Sequence, residues 1–274
     1  MDNFDRFPTG KDRKHIIKIS EEVKEDFIND DNKEFRYNWV DSPADNDNFQ
    51  LNTYEPKGRP FMETFKEVIG QEYLLTDYIE KELSSKKGEA IGVEFGGVGV
   101  GFFNSFSKDF FKKSFGVTLV DHRMEHRRMS SSLVEQNINH KILLADIFDE
   151  KFYEKLEKDL EGKKVDLIVS RMGAGLEFVP GDPYLVGKTL NMWYKLLAED
   201  GLMLVQTPII FNKILFKWSD KVLEESKGLI DFKFTRGDTN GSVSSSAFNL
   251  KKLKGAPEDL PMLDPKTIFK SERF

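Results

Sequence analysis

From residue 90 onward, short apolar runs alternate with longer segments in which apolar residues recur every three or four positions. The short runs predict β-strands and the longer segments predict amphipathic helices. The predicted strands are AIGVEF (90–95), GVTLVD (116–121), HKILLADIF (140–148), VDLIVSR (165–171) and LMLVQTP (202–208). Strands that alternate with helices of this length predict βαβ units, and therefore a parallel sheet covered on both faces.

The predicted helices fill the intervals between these strands. They are FFNSFSKDFF (102–111), with Phe102, Phe103, Phe106 and Phe110 on one face, EHRRMSSSLVEQN (125–137), EKFYEKLEKDLEG (150–162), PYLVGKTLNMWYKLLAEDG (183–201) and IFNKILFKWSDKVLEES (210–226). Before the first strand, apolar positions from Phe61 to Ile79, Leu74 among them, predict one or two further helices with a break at Gly70. The SSKKGE segment that follows is typical of a loop.

The end of the chain departs from this alternation. LIDFKFTRG (229–237) and SAFNLKKL (246–253) predict two strands joined by a turn-rich segment. Because no helix fits between them, they are expected to pair as an antiparallel hairpin. The predicted fold class is therefore α/β, a doubly wound and mostly parallel seven-stranded sheet that ends in this hairpin.

Composition divides the chain into three parts. Residues 1–58 are polar but carry Phe35, Tyr37, Trp39 and Tyr54, which is compatible with a partly ordered lid or with a flexible extension. The main domain is predicted over residues 59–254. Residues 255–274 are punctuated by prolines and are expected to run over the surface as a tail.

Charge and cysteine content narrow the classes of function. The 274-residue chain has no cysteine, so disulfides and cysteine-ligated metals are ruled out, and a reducing, cytoplasmic location is expected. No apolar run approaches the ~20 residues that span a membrane, and the first residues lack an apolar signal region. The net charge of −6 argues mildly against nonspecific binding to nucleic acid and leaves local basic patches open.

A run of glycines follows the first predicted strand, in the segment VEFGGVGVG. In an open parallel sheet, ligands bind beyond the carboxyl ends of the strands, where the strand order reverses. Glycine permits a positive φ and a close approach of backbone to a ligand. The turn formed by Gly96, Gly97, Gly99 and Gly101 is therefore a candidate nucleotide-binding turn, although glycine-rich structural turns are also common.

Three acidic residues lie at three successive strand ends. Asp121 comes twenty residues after Gly101, the spacing of an acid that accepts hydrogen bonds from ribose hydroxyls. Asp146 can accept a hydrogen bond from an adenine amino group while Ile147 packs on the ring, and Glu94 is an acid in an otherwise apolar strand that needs a partner if buried. Asp121 and Asp146 can alternatively cap helices. Together the three acids fit one bound nucleoside.

The segments VEFGGVGVG, VTLVD, LLADIF, VDLIVSR and LAEDGLMLVQTP, in this order, resemble the class I S-adenosylmethionine-dependent methyltransferases over about residues 61–254. The sheet of that family has seven strands, the last two forming an antiparallel hairpin. The resemblance implies S-adenosylmethionine as cofactor. Its methionine part would be held at the Glu94 turn, its ribose by Asp121 with His122 nearby, and its adenine by Asp146.

The glycine turn departs from the family pattern, which is acid-x-Gly-x-Gly-x-Gly. Counted from Glu94 the turn holds one residue too many, so either it bulges or the motif begins at Gly97 and the acid is shifted. This departure also leaves open a catalytically inactive cofactor-binding protein of the same fold. A dinucleotide-binding domain is the nearest rival, but the sequence does not fit its G-x-G-x-x-G fingerprint.

The segment HRMEH, residues 122–126, matches the H-x-x-E-H motif of inverted zinc proteases. His122 and His126 could bind zinc from one helix face, with Glu125 as general base, which would make the protein a zinc hydrolase. No third ligand is evident, and the match starts directly after the predicted second strand. A solvated helix face without metal is the preferred interpretation.

The methyl acceptor is expected over the ends of the fourth and fifth strands. Arg171 and Tyr184 are the candidate substrate-binding residues, Arg171 because it can clamp a carboxylate or phosphate. Further candidates at this edge are Ser170, Glu177, Asp182, Gln206 and Thr207. A small-molecule acceptor is favoured, and no single catalytic residue is predicted.

Overall fold

The computed structural model describes residues 65–70, 72–97, 99–118, 139–145, 147, 149–170, 183–208, 212–235 and 245–263. Its helices are α1 (Lys66–Ile69), α2 (Leu75–Glu82), α3 (Val100–Phe103), α4 (Glu150–Asp159), α5 (Pro183–Leu196) and α6 (Asn212–Ser226). Its strands are β1 (Ala90–Phe95), β2 (Phe111–Thr118), β3 (Asn139–Leu144), β4 (Val165–Ser170), β5 (Leu197–Pro208), β6 (Ile230–Thr235) and β7 (Ser245–Lys252). A short 3₁₀ turn, Ser84–Lys86, lies in the predicted SSKKGE loop.

The strands form one seven-stranded sheet in the order β3-β2-β1-β4-β5-β7-β6. Strands β1 to β5 pair in parallel, whereas β7 runs antiparallel to both β5 and β6. All residues of β1 and β4 are buried, as expected for central strands with helices on both faces. The predicted fold class is therefore confirmed, including the antiparallel terminal pair.

Two apolar cores cover the two faces of the sheet. The tryptophan-side core packs α4, α5 and α6 on the sheet around Trp193 and Trp218. The phenylalanine-side core packs α1, α2 and the segment 102–111 on the opposite face. Each core thus excludes water from one face of the sheet. The edge formed by the carboxyl ends of the strands remains as the place for a ligand.

The helix predicted over residues 102–111 is wrong for most of its length. Helix α3 ends at Phe103, and a turn follows in which Asp109 has a φ of 60°, a backbone conformation that a right-handed helix does not contain. Phe102, Phe103, Phe106 and Phe110 are nevertheless all buried. Their rings contact one another edge to face or in stacked pairs, so tertiary packing rather than a helix face brings them together.

Strand β2 begins five residues before the predicted start at Gly116. Lys112 and Lys113 obscure its early part, because two adjacent charges interrupt an apolar run. Both lysines keep their charge near solvent, in ion pairs with Glu89 and Glu161. The remaining predicted residues of this strand, 119–121, lie outside the described residues.

The boundary between α5 and β5 also differs from the prediction. The helix was expected to reach Gly201, yet it ends at Leu196, and Leu197 already pairs with Val165 of β4. Asp200, which lies in β5, has a φ of 61°, a backbone conformation that a right-handed helix does not contain. Leu74, expected on a buried helix face, is 62% exposed, directly before the first residue of α2.

Residues 253–263 cross the outside of the tryptophan-side core as a strap. The Tyr194 hydroxyl donates to the Pro257 carbonyl at 2.8 Å, and Trp218 Nε1 donates to the Pro261 carbonyl at 2.7 Å. Leu260 and Leu263 are buried in the core, so this part of the segment predicted to run over the surface contributes to packing. The division into residues 1–58, 59–254 and 255–274 stays a prediction, and the first part lies outside the described residues.

Candidate functional site

Strand β1 lies at the point where the strand order of the sheet reverses. Its neighbours are β2 on one side and β4 on the other, and Phe95, its last residue, pairs with Val117 and Ser170. The chain leaves β1 through the glycine turn, so the turn begins at the switch point of the sheet. In open α/β sheets this crevice, beyond the carboxyl ends of the strands, is the place where ligands bind.

The glycine turn folds back over β2. The Gly96 N–H donates to the Val117 carbonyl at 2.7 Å, and Gly96 and Gly99 have φ values of 87° and 76°. A Cβ on Gly99 would lie 2.9 Å from His140 Cε1 and 3.2 Å from Gly116 Cα. The turn therefore lies so close to β2 and β3 that a Cβ at position 99 would require His140 or Gly116 to shift. Position 99 also needs a positive φ, which glycine adopts readily.

His140 supports the position of the glycine turn, although the sequence alone did not single out this residue. It lies on β3 opposite Ser114 of β2, and its Nδ1 is 2.8 Å from the Ser114 hydroxyl oxygen. Its ring also contacts Phe103 at the end of α3, with centroids 6.0 Å apart. The alternation of its strand gives no sign of this role, because the contact joins three elements that are distant in the sequence.

Glu94 is completely buried in β1, where it pairs with Gly116 and Val169. It shares a sheet face with Gly92, on which the Phe103 ring rests. Since Gly99 lies against Gly116, the glycine turn passes over the face that carries Glu94. Burial of a carboxylate is costly without hydrogen-bond donors or a positive charge near it. A role of Glu94 in holding a cofactor stays a prediction.

The chain that leaves β3 is held by a buried hydrogen bond. The Tyr153 hydroxyl of α4 donates to the Ile147 carbonyl at 2.6 Å, and the Ile147 side chain is 1% exposed within the tryptophan-side core. Packing of Ile147 on an adenine ring stays a prediction. Asp121, His122 and Asp146 lie outside the described residues.

Two buried hydroxyls mark the edge where the acceptor is expected. Ser170 ends β4 and Thr207 is the penultimate residue of β5, and they are 0% and 1% exposed. Within the described part of the chain, neither hydroxyl oxygen has a hydrogen-bond partner. An unpaired buried hydroxyl is costly, and the residues that follow the two strands, 171–182 and 209–211, lie outside the described residues.

The other predicted acceptor residues are described only in part. Tyr184 lies in the first turn of α5, and nothing further is described of its side chain. Gln206 is buried near the end of β5. Arg171, Glu177 and Asp182 lie outside the described residues, so the substrate assignments to Arg171 and Tyr184 stay predictions.

No group of three or more metal-ligating side chains occurs among the described residues. The HRMEH segment lies outside that part of the chain, so its zinc interpretation stays untested. None of the described helices is long and apolar enough to cross a membrane.

Comparison with models of protein families gave no match, and comparison with curated proteins gave none either. Among solved structures, an rRNA methylase from Streptococcus thermophilus matches at 13% identity and a TM-score of 0.42, over 64% of this chain and 94% of that one. An S-adenosylmethionine-dependent methyltransferase from Clostridium acetobutylicum matches at 10% identity and a TM-score of 0.37, over 69% and 96%. The methyltransferase domain of a bacterial Hen1 protein matches at 15% identity and a TM-score of 0.39, over 65% and 96%.

Because these TM-scores are all below 0.5, the fold is assigned from the order and direction of the strands in the sheet. A dinucleotide-binding sheet has the order 3-2-1-4-5-6, whereas here the antiparallel β7 lies between β5 and β6. Seven strands, the last two of which form the antiparallel pair that the resemblance implies, give this chain the fold of the class I S-adenosylmethionine-dependent methyltransferases.

Proposed function

We propose that this protein is an S-adenosylmethionine-dependent methyltransferase. The observation that carries the proposal is the glycine turn at the switch point of the sheet. It begins directly after β1, has positive φ values at Gly96 and Gly99, and passes over the buried Glu94. A turn of this kind brings backbone N–H groups and an acid to the same ligand.

The remaining cofactor contacts are proposed from positions at the strand ends. Asp121 follows the last residue of β2 by three positions and Asp146 follows the last residue of β3 by two. Carboxyl ends of adjacent parallel strands meet at one edge, so we propose that both acids contribute to the edge that carries the glycine turn. In this arrangement Asp121 holds the ribose, Asp146 the adenine amino group, and the Glu94 turn the methionine part.

The bound cofactor supplies a methyl group that is already activated, so the chain's main task is to align the acceptor. The buried hydroxyls of Ser170 and Thr207 are suited to hydrogen-bond an acceptor over the ends of β4 and β5. Arg171 and Tyr184 are proposed to complete the acceptor site. A general base is needed only where the acceptor atom must lose a proton.

Calorimetry with purified protein tests cofactor binding. We expect S-adenosylmethionine and S-adenosylhomocysteine to bind, and Asp121→Ala to weaken both by about 1–3 kcal/mol, because buried ligand hydroxyls lose their acceptor. Asp231→Asn is the matched control, since Asp231 is a half-exposed acid on the edge strand β6. Binding of NADH in place of both compounds would refute the proposal.

The acceptor class is tested with a methyl-labelled cofactor. The net charge of −6 supports a small-molecule acceptor over nucleic acid. We expect label to enter the small-molecule fraction of an extract, and label in RNA would overturn this preference. Tight cofactor binding without transfer to any fraction would instead support the inactive binding protein, which the extra residue of the glycine turn leaves open.

A further inference from the structure

A buried hydrogen-bonded chain runs from α5 through α4 to the segment that leaves β3. Trp193 Nε1 donates to the Tyr153 hydroxyl at 2.8 Å, and that hydroxyl donates to the Ile147 carbonyl at 2.6 Å. Trp193, Tyr153 and Ile147 are 0%, 7% and 1% exposed. Water therefore has little access to replace any of these bonds, and the Ile147 carbonyl depends on the phenol for its position.

The same indole also supports the glycine turn. Phe95, the residue before Gly96, stacks on Trp193 with ring centroids 4.5 Å apart and an angle of 4° between the planes. One side chain of α5 thus contacts the strand end that opens the glycine turn, and through Tyr153 it holds the segment after β3. These are the two segments that the proposed function assigns to opposite ends of the cofactor.

We propose that Tyr153 and Trp193 are positioning residues that set the segment after β3 relative to the glycine turn and so tune recognition of the adenine. Neither side chain touches the cofactor in this assignment. The phenol acts through the Ile147 carbonyl, and the indole holds the phenol by donating to it. The inference rests on the proposed function, because the segment after β3 recognises adenine only if the cofactor binds there.

Tyr153→Phe removes the hydroxyl and keeps the ring. The Ile147 carbonyl then loses its donor and the Trp193 N–H loses its acceptor, while the ring contacts with Phe95 and Phe152 remain. Tyr194→Phe is a matched control on α5. Its buried hydroxyl also donates to a backbone carbonyl, that of Pro257 at 2.8 Å, but this bond ties the strap and not the carboxyl edge.

Binding of two ligands separates positioning from general destabilisation. The pair is S-adenosylhomocysteine and the same molecule with hypoxanthine in place of adenine, which lacks the amino group. In Tyr153→Phe we expect S-adenosylhomocysteine to bind about five-fold more weakly, the scale of one buried hydrogen bond, and the hypoxanthine analogue to change less than two-fold. Tyr194→Phe should leave the ratio of the two affinities unchanged. An equal loss for both ligands in Tyr153→Phe, or no loss for either, overturns the inference.

Hydrogen exchange in the ligand-free protein gives a readout that does not need the cofactor. Tyr153→Phe is expected to raise the exchange rate of amides in a peptide covering residues 143–152, whereas Tyr194→Phe leaves this peptide unchanged. Unchanged exchange in Tyr153→Phe refutes the positioning role even if the cofactor binds. If the wild-type protein binds neither ligand and Tyr153→Phe still raises this exchange rate, the proposed function is refuted and the hydrogen-bonded chain remains a positioning device.

Discussion

Phe95 and Trp193 stack face to face, with ring centroids 4.5 Å apart and planes inclined by 4°. One is the last residue of β1 and the other lies on the buried face of α5. The pair joins the strand end at the switch point to the helix that follows the expected acceptor edge. Because both rings are fully buried, the contact contributes to folding as well as to the shape of the candidate site.

Trp193→Ala is expected to lower the free energy of unfolding by about 3–5 kcal/mol, since it removes a fully buried indole and leaves a cavity beside Phe95. Urea denaturation measures this change. Leu223→Ala on α6 is the control, because Leu223 is 40% exposed and its loss should cost no more than about 0.5 kcal/mol. Equal effects of the two substitutions would contradict the packing described here.

Gly99→Ala should cost more stability than Gly162→Ala, although both glycines have nearly the same φ, 76° and 75°. Each substitution carries the penalty of a positive φ, about 1–2 kcal/mol. Only at position 99 would the new Cβ meet neighbours, His140 at 2.9 Å and Gly116 at 3.2 Å, whereas nothing lies within 4 Å at position 162. Thermal unfolding of both variants measures this difference in stability. Equal melting temperatures would contradict the close contact of the glycine turn with His140 and Gly116.

Leu263→Ala is expected to destabilise the protein by about 2–5 kcal/mol, because the side chain is 1% exposed and packs on Gly187 of α5. Met262→Ala, at the adjacent position, is the control, since Met262 is 58% exposed. Chemical denaturation distinguishes the two. If both variants unfold like the wild type, the strap adds nothing to the core and the domain ends before it.

Asp166 is expected to make stability depend on pH. Burial raises the pKa of its carboxyl above the ordinary value of 3.8, against the opposing effects of the Ile91 N–H at 2.9 Å and of Lys86. The folded state then binds more protons than the unfolded state in this range. The free energy of unfolding therefore falls as pH rises from about 3.8 through the folded-state pKa.

Asp166→Asn removes this titration and keeps an oxygen that can accept from Ile91. The stability of the variant relative to the wild type should consequently increase with pH across that window. Urea denaturation at a series of pH values measures the difference, with Asp231→Asn as control because Asp231 is a half-exposed acid on the edge strand β6. A difference between Asp166→Asn and wild type that is constant with pH would show that the carboxyl does not titrate differently on folding.

Much of the fold follows from local patterns in the sequence. The boundaries of β1 agree with the prediction and those of β4 differ by a single residue, because strands buried on both faces are continuous apolar runs with polar residues at their ends. The antiparallel pair β6 and β7 was predictable because too few residues separate the strands to form a crossover helix. The break at Gly70 was also predicted, and this glycine has a φ of 104°.

Tertiary contacts decided the elements whose sequence suits two structures. The phenylalanines between positions 102 and 111 have helical spacing, yet they meet as a cluster around a turn and the start of β2. Residues 197–201 extend a helical pattern, yet pairing of Leu197 with Val165 places them in the sheet. Burial against neighbours outweighs intrinsic preference when both conformations are accessible.

The candidate site also combines features that are visible in the sequence with contacts that only the tertiary structure shows. The sequence by itself determined the glycine run and the acid Glu94 in the strand before it, because residue type and spacing are local features. The placement of Asp121 and Asp146 at strand ends stays a prediction. Only the tertiary structure decided that Gly99 rests on His140, that Phe95 stacks on Trp193, and that Tyr153 holds the Ile147 carbonyl. These contacts join elements far apart in the chain, and no periodicity along a sequence encodes which strands and helices become neighbours.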